Sequence, residues 1–348
     1  MSAALRRQVS LRSSLVLLIA GSMLPFLFVS GVLVQRLVHD SRSTIERTLL
    51  DSARQQSTAL DAEMNASVRA LQTLAVGRAL VTGDLPAFEV QAREAVRTQP
   101  GWKGIRLLAP DGRVLVNTAV PPGEDPGAAV DMPSVALAVQ TRAPTVAPLR
   151  RGPRGTLGFA VRVPVRDGET LRYILSAVIP SDTVSDLLAR VAPFPNEWTR
   201  VVVDAEGTVV ARTRSPERFV GRPATDSFKT RTGAADAAFY RDTSLEGEQV
   251  YVAFSHSAFS NWVSAVVVPV AVMDGPLRRS MFTLVGVGLL VLLVSTAGAY
   301  WLAGRIASDI AGAARSAGAL ARGEPVVAAG SLVSEVTSLG RSLEAAAA

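Results

Sequence analysis

The sequence lacks cysteine and is poor in histidine, aromatic residues and charge. Its 348 residues include no Cys, two His, 5% aromatic residues and 19% charged residues. Without cysteine there are no disulfides, no thiolate nucleophiles and no zinc sites built on sulfur. His39 and His256 are widely separated, and neither belongs to a metal-binding spacing. The chemistry of the protein must therefore rest on other side chains.

Motifs that signal catalysis are also missing. The glycine-rich stretch "GPRGTLG" at 152–158 lacks the Gly-Lys-Ser/Thr ending of a phosphate-binding loop, and we expect a turn there. The sequence contains neither the HExxH pattern of metalloproteases nor the GxSxG pattern of hydrolases. We predict no catalytic site, no metal site and no cofactor in these residues.

Long apolar runs are the first feature that is present. Residues 13–35 and residues 280–304 carry no charged side chain. Each run exceeds the roughly 20 residues with which a helix crosses the hydrocarbon core of a bilayer. The first run is longer than the apolar part of a cleaved signal peptide, so we expect an anchor that stays in place. The sequence therefore predicts two transmembrane helices.

The charges flanking these runs predict the orientation. Arginines precede the first run and follow the second, on the two short tails, residues 1–12 and 305–348. Positive charge on short flanking segments marks the cytoplasmic side. We expect a two-pass protein of a bacterial inner membrane with both termini in the cytoplasm. Residues 36–275 are then a large extracytoplasmic domain.

That domain is predicted to begin with a long helix and to contain a repeat. Apolar residues recur at helical spacing after residue 36, and no proline occurs between residues 36 and 85. The phrases "LLAPDGRVLVNT" (107–118) and "VVDAEGTVVART" (202–213) share one pattern around a glycine. Each phrase predicts a β-hairpin, because glycine tolerates the positive φ of a tight turn. Asp111 and Glu206 occupy equivalent turns and so do not form a catalytic pair.

Further strands follow each hairpin in the same order. "GTLGFAVRVPV" and "LRYILSAVIP" follow the first hairpin, while "GEQVYVAFSHS" and "WVSAVVVPV" follow the second. The matched order predicts two antiparallel sheets in two successive modules. The predicted class is α+β, with a first module at about 86–180 and a second at about 181–275, stacked on the long N-terminal helix.

A long helix and two PAS-like modules between two spans resemble a double Cache sensor domain. The second module, "EWTRVVVDAEGTVVARTRSPERFVGRPA", is similar to the membrane-proximal module of bacterial sensor histidine kinases. The resemblance covers roughly residues 36–275. It implies a small-molecule ligand in the first, membrane-distal module and a second module that passes the change to the second span.

The C-terminal tail resembles a HAMP signalling linker, which is a parallel four-helix bundle in a dimer. Two heptad segments are joined by the connector "RGEPVVAAGS", although the proline usual near Asp309 is absent. The resemblance implies a homodimer and a histidine kinase output. The residues expected to pack in this bundle are Ile306, Ile310, Leu320, Glu335, Val336 and Leu339.

Ligand-binding candidates lie in the first module. A ligand with a carboxylate would bind a bidentate arginine beside an aromatic wall. The candidates are Trp102, Arg106, Asn117, Arg150, Phe159 and Tyr173. The alternative is that the arginines are solvated and the aromatics are core residues.

Two functions remain open from the sequence. The first is the sensory and transmission half of a transmembrane receptor, with a lipid bilayer, a small ligand and a separate kinase or response protein as partners. No output domain follows within residues 305–348, so the chain is either a fragment or acts through a partner. The second is a membrane-anchored binding or interaction protein without signalling output. We predict no nucleic-acid partner, and the sequence names neither the ligand nor the sign of the response.

Overall fold

A computed structural model describes residues 11–153, 155–191 and 195–321, together with residues 337, 338, 341, 342 and 345. The chain divides into two compact units, one of which is Arg42–Gly275 and the other Met1–Ser41 with Pro276–Ala348. The helices of the described residues are α1 (Leu11–Ala75), α2 (Arg78–Thr82), α3 (Leu85–Thr98), α4 (Met132–Thr141), α5 (Ser181–Arg190), α6 (Pro216–Phe219), α7 (Asp226–Thr232) and α8 (Val270–Ala321).

The strands form two antiparallel sheets, as the repeated pattern predicts. The strands are β1 (Gly104–Leu108), β2 (Val114–Asn117), β3 (Thr145–Val146), β4 (Arg150–Arg151), β5 (Leu157–Asp167), β6 (Thr170–Pro180), β7 (Thr199–Val203), β8 (Val209–Arg212), β9 (Ala237–Thr243), β10 (Gln249–His256) and β11 (Val263–Pro269). The first sheet has the order β2-β1-β6-β5-β3, with β4 also paired to β5. The second has the order β8-β7-β11-β10-β9. The short strands β3 and β4 and the strand β9 lack a sequence prediction.

The long helix α1 packs against both sheets within the compact unit. Leu49 and Ala53 contact the second sheet, while Leu60 and Leu71 are buried in a cluster with residues of the first. A hydrogen bond fixes the position of α1 along the second sheet, because the side-chain amide of Gln56 donates to the carbonyl of Val201 at 2.9 Å. The predicted long helix is therefore confirmed, and it ends at Ala75.

Each sheet has one face against α1 and one face turned away from it. In the first sheet, Ile105, Leu107 and Leu175 join the cluster around α1. Their strand neighbours point the other way, because successive side chains on a strand alternate between faces. Leu108 and Ile174 on this second face pack under α4.

The two modules share part of their core. Trp262 at the start of β11 is fully buried and packs edge-to-face on Phe159 of β5, with ring centroids 4.7 Å apart. The backbone N–H of Leu149 donates to a carboxylate oxygen of Asp204 at 2.8 Å. The modules are thus joined by apolar and polar contacts.

The helix α8 contains the second predicted span. Among the described residues, one helix is long and apolar enough to cross a membrane, Phe282–Ala319. Its large apolar side chains are exposed. Residues 13–35 lie in α1, where too few side chains are described to test the first span. Ile306, Ile310 and Leu320 lie on α8, whereas Glu335, Val336 and Leu339 lie outside the described residues.

Candidate functional site

The first sheet carries a cavity on the face turned away from α1. Strands β1, β2, β5 and β6 form its floor, and the segments at 119–131 and 147–158 form its walls. Its volume is about 320 Å³, at the small end of the range for ligand pockets. The cavity can enclose a small molecule.

Arg162 lies in the floor of this first cavity. Its side chain is 5% exposed and donates to Ser134 Oγ at 2.8 Å and to Ser176 Oγ at 3.0 Å. Burial lowers the pKa of this guanidinium to about 10, although the nearby Asp131 carboxylate acts in the opposite direction. The group keeps its positive charge at neutral pH, and the two serines hold it in place.

Asp131 and Arg106 bring unpaired polar atoms to the cavity. Asp131 is 5% exposed, and neither of its carboxylate oxygens has a hydrogen-bond partner among the described residues. Oδ1 lies 3.4 Å from Nη2 of Arg150. Arg106 Nε is likewise buried without a partner in the described part of the chain, and burial lowers the pKa of this arginine. Buried polar groups are normally satisfied, so these atoms favour a ligand that supplies their partners.

Arg150 connects the cavity to the second module. Its guanidinium donates to both carboxylate oxygens of Glu206, at 2.8 and 2.6 Å. This bond raises the pKa of Arg150 and lowers the pKa of Glu206. A bidentate pair fixes the orientation of a planar guanidinium. The wall of the cavity is therefore positioned by the β7–β8 turn of the other module.

Known structures with this architecture are sensor domains. No family model matches the sequence, and no curated protein matches it. The extracellular domain of mmHK1S-Z3, described as a histidine kinase, superposes with a TM-score of 0.54 at 12% identity, over 69% of this chain and 98% of that one. The ligand-binding domain of the Pseudomonas fluorescens chemoreceptor CtaA, in complex with L-isoleucine, gives 0.52 at 11% identity, over 69% and 97%. The chain has the double Cache fold.

A third structure extends the comparison. The ligand-binding domain of the Pseudomonas aeruginosa amino acid chemoreceptor PctB, in complex with L-Arg, gives a TM-score of 0.51 at 14% identity, over 66% of this chain and 96% of that one. Identities this low establish a common fold. The double Cache resemblance seen in the sequence is confirmed at that level.

Four of the six predicted ligand residues line the cavity of this double Cache domain: Arg106, Asn117, Arg150 and Phe159. Asn117 already bonds at both ends, donating to the carbonyl of Pro126 at 2.9 Å and accepting from the N–H of Ala119 at 3.1 Å. It shapes the wall. The role of all these residues in ligand binding stays a prediction.

The other two predicted residues lie outside the cavity lining. Trp102 is 7% exposed in the core, and its indole N–H donates to Ser67 Oγ of α1 at 3.1 Å. Tyr173 packs against the same core cluster, beneath the guanidinium of Arg172. The structure places both aromatic rings in packing contacts that do not reach this cavity.

The sequence did not mark the two buried charged residues of the cavity, Arg162 and Asp131. Arg162 stands in the apolar stretch "GFAVRVPV", and a charge inside a buried strand is rare unless it has partners. The charge of Arg162 inside this apolar stretch was therefore the sequence signal that could have identified it. Asp131 precedes α4 in a loop, where an acid is ordinary, so no local signal marks it.

No acidic cluster forms a metal site in the described residues. No group of three or more potential ligands occurs among them. His256 bonds to Asn261 Oδ1 at 3.1 Å and to the carbonyl of Thr232 at 3.0 Å, which fixes the β10–β11 turn.

Proposed function

We propose that this chain is the sensory part of a bacterial transmembrane receptor, and that it binds a small extracytoplasmic molecule in the first cavity. The observation that supports this most directly is the buried Asp131 carboxylate, which faces the cavity that also holds Arg106 and Arg162. It is ion-paired with Arg150 at 3.4 Å, but neither of its oxygens has a hydrogen-bond partner in the described chain. Leaving such groups without partners costs about 1–3 kcal/mol each. A ligand that supplies those hydrogen-bond partners removes this cost, and its binding is strengthened by that amount.

The charges in the cavity favour a zwitterion. The lining contains four cationic residues and two carboxylates: Lys103, Arg106, Arg150, Arg162, Asp125 and Asp131. A ligand carboxylate would bind the excess cations, and a ligand ammonium group would bind Asp131. An amino acid has both groups, and the related folds of CtaA and PctB hold L-isoleucine and L-Arg. The proposed ligand class is an α-amino acid.

In this proposal the membrane organisation follows the sequence analysis. Residues 1–12 and 305–348 are cytoplasmic, 13–35 and 280–304 span the inner membrane, and 36–275 lie outside. The apolar helix in α8 supports one of the two spans. The signal would pass through α8 to the HAMP-like tail of a homodimer and on to a histidine kinase. A ligand can drive this change only through different affinities for two conformations.

The test is thermal unfolding of the full-length protein in nanodiscs with a panel of L-amino acids, dicarboxylates and amines. A ligand at a hundred times its Kd adds about 2.7 kcal/mol of stability and should raise the Tm by a few degrees. We expect one or more amino acids to do so, and the Asp131→Asn variant to lose the effect. Asp182→Asn, at an exposed position in α5 outside the cavity, is the matched control and should retain it.

Two results would count against the proposal. Stabilisation by dicarboxylates alone would contradict the zwitterion and leave a sensor of another ligand class. Absence of any saturable shift across the panel, with the protein shown to be folded, would contradict small-molecule sensing at this cavity.

A further inference from the structure

The second sheet carries a cavity of its own. It has a volume of about 60 Å³ and lies between the sheet face away from α1, the helix α7 and the β9–β10 turn at 242–245. Its floor is apolar, with Val201, Val252 and Ala265 among its residues. A water molecule needs about 10–15 Å³ of such space, so the cavity has room for roughly four waters or one small organic molecule.

Strand register shows that the two cavities occupy equivalent places. In the first sheet Arg106 pairs with Asn117 on one side and with Ser176 on the other. In the second sheet Val201 pairs in the same way with Arg212 and with Ala265. The second cavity is therefore the counterpart of the first in the repeated module, rather than an arbitrary packing defect.

The chemistry of the two counterparts differs. Arg106 in the first cavity corresponds to Val201 in the second. Arg162, which pairs with Ser176, corresponds to Phe254, which pairs with Ala265. The second cavity lacks both floor arginines, and its floor is apolar.

One cation on the neighbouring strand β8 takes the place of the two floor arginines. Arg212, at the position equivalent to Asn117, lines the second cavity and is 5% exposed. Its Nη2 lies 2.6 Å from Glu246 Oε1, and Phe219 covers the guanidinium at 4.4 Å from the ring centroid. Nη1 is buried and has no hydrogen-bond partner among the described residues. Both carboxylate oxygens of Glu246 are likewise buried without a hydrogen-bond partner in that part of the chain, but Arg212 lines the cavity and Glu246 is not among the lining residues. Nη1 is therefore the candidate donor to a ligand.

The surrounding charges decide the ligand class. Glu246 already neutralises Arg212, and Asp242 stands in the cavity wall. A second anion would face both carboxylates, whereas a cation would face the guanidinium in a space with low solvent access. A neutral molecule with an apolar body and one hydrogen-bond acceptor meets neither penalty.

We propose that the second module contains a second ligand site, for a small, neutral, mostly apolar molecule that offers a carbonyl or hydroxyl oxygen to Arg212. About four to six non-hydrogen atoms match the cavity. The branched apolar part contacts the valine floor, and the oxygen accepts from Nη1. The proposal is independent of amino acid binding in the first cavity.

The probe is isobutyramide, with isobutyrate as its charged counterpart of nearly equal shape. Saturation-transfer NMR on the full-length protein in nanodiscs measures binding of each compound. We expect saturable binding of the amide, in the millimolar range for so few atoms, and at least tenfold weaker binding of the carboxylate. Comparison with variants removes the contribution of partition into lipid.

Two alanines of the same module provide the matched variants. Ala224 lines the cavity, so Ala224→Leu should fill it and abolish the saturable signal. Ala234 is exposed in the turn after α7, outside the cavity lining, so Ala234→Leu should retain the signal. The double variant Arg212→Met with Glu246→Gln removes the ion pair as a unit and should lose the preference for the amide. Circular dichroism and thermal unfolding confirm that each variant is folded.

Three outcomes would overturn the proposal. These are equal binding to wild type and Ala224→Leu, binding of isobutyrate as tight as that of the amide, and the absence of saturable binding by a folded wild-type protein. The last result would mean that the cavity holds water only.

Discussion

At the scale of single residues, buried charge is what distinguishes the two modules. Arg162 is held by two serine hydroxyls, whereas Arg212 is held by a carboxylate. A buried ion pair is costly to break on one side, because the remaining charge is left without a partner. The Arg212–Glu246 pair should therefore dominate the acid sensitivity of the second module.

Glu246 gives a pH-dependent prediction. Although burial acts to raise its pKa, pairing with Arg212 outweighs this and holds the pKa below the ordinary value of 4.5. The pair's contribution to stability is then complete above about pH 4.5 and is lost as the pH falls through the folded-state pKa. We expect Glu246→Gln to lower the free energy of unfolding by about 3–5 kcal/mol at pH 7, and by progressively less below pH 4.

Denaturant unfolding of wild type and variant between pH 3 and pH 7 measures this difference. Glu248→Gln is the matched control, because Glu248 lies in the same turn and pairs with Arg214 at 3.4 Å with both side chains about half exposed. It should change stability by less than about 1 kcal/mol. A pH-independent effect of Glu246→Gln would contradict the assignment of the pair as the titrating element.

The residues of the first site were only partly visible in the sequence. Arg106 and Arg150 were predicted, because a bidentate arginine binds a ligand carboxylate. Asp131 is 31 positions from Arg162, and only the crossing of α4 over the sheet brings them together. Trp102 was predicted for its aromatic wall, but its contact with Ser67 depends on where α1 lies. Contacts between residues so far apart in the sequence cannot be predicted from the local spacing of residue types.

At the scale of elements, the strand pair β5–β6 sets the edge of the first cavity. A Cβ placed on Gly158 would lie 2.8 Å from the carbonyl oxygen of Ile179 on the paired strand. Gly158→Ala should therefore push the two strands apart and destabilise the protein by about 1–3 kcal/mol. The measurement is the midpoint of denaturant unfolding.

Gly152 is the control for this substitution. It also lines the cavity, yet a Cβ there would meet its nearest atom at 3.5 Å, an ordinary contact. Gly152→Ala should stay within about 0.5 kcal/mol of wild type. Equal effects of the two substitutions would show that strand spacing at Gly158 is not the constraint.

Most elements followed from sequence pattern, while their order across each sheet did not. The hairpins and the long strands were predicted because alternation and turn glycines are local signals. The position of β6 between β1 and β5 is a long-range pairing that local sequence patterns do not reveal. The strand β9 was missed, because "AAFYRDT" shows little alternation.

At the scale of the whole outer unit, the shared core predicts cooperative unfolding. One buried cluster contains Leu71 of α1, Val161 of the first sheet, and Val210 and Trp262 of the second. Neither module can expose this surface without the other. We expect residues 42–275 to unfold in a single transition, with calorimetric and van't Hoff enthalpies that agree.

Trp262→Ala tests the origin of this cooperativity. Loss of a fully buried tryptophan should cost about 3–5 kcal/mol and weaken the contact between modules. Calorimetry should then show a broadened or divided transition. Phe228→Ala, which removes a buried ring within the second module alone, should lower the Tm while leaving one transition. Two separate transitions in the wild type would contradict the shared core.

Phe159 and Arg150 each take part in two contacts that a single substitution would change together. Each residue lines the cavity, and its side chain touches the second module, through Trp262 and Glu206 respectively. In the proposed sensor, a substitution at either position changes the cavity and the contact between the modules at the same time. Arg106 and Asp131 do not make such a contact with Trp262 or with Glu206 in the described residues. Descendants with new ligands should therefore vary at those two positions first, and directed evolution libraries should begin there.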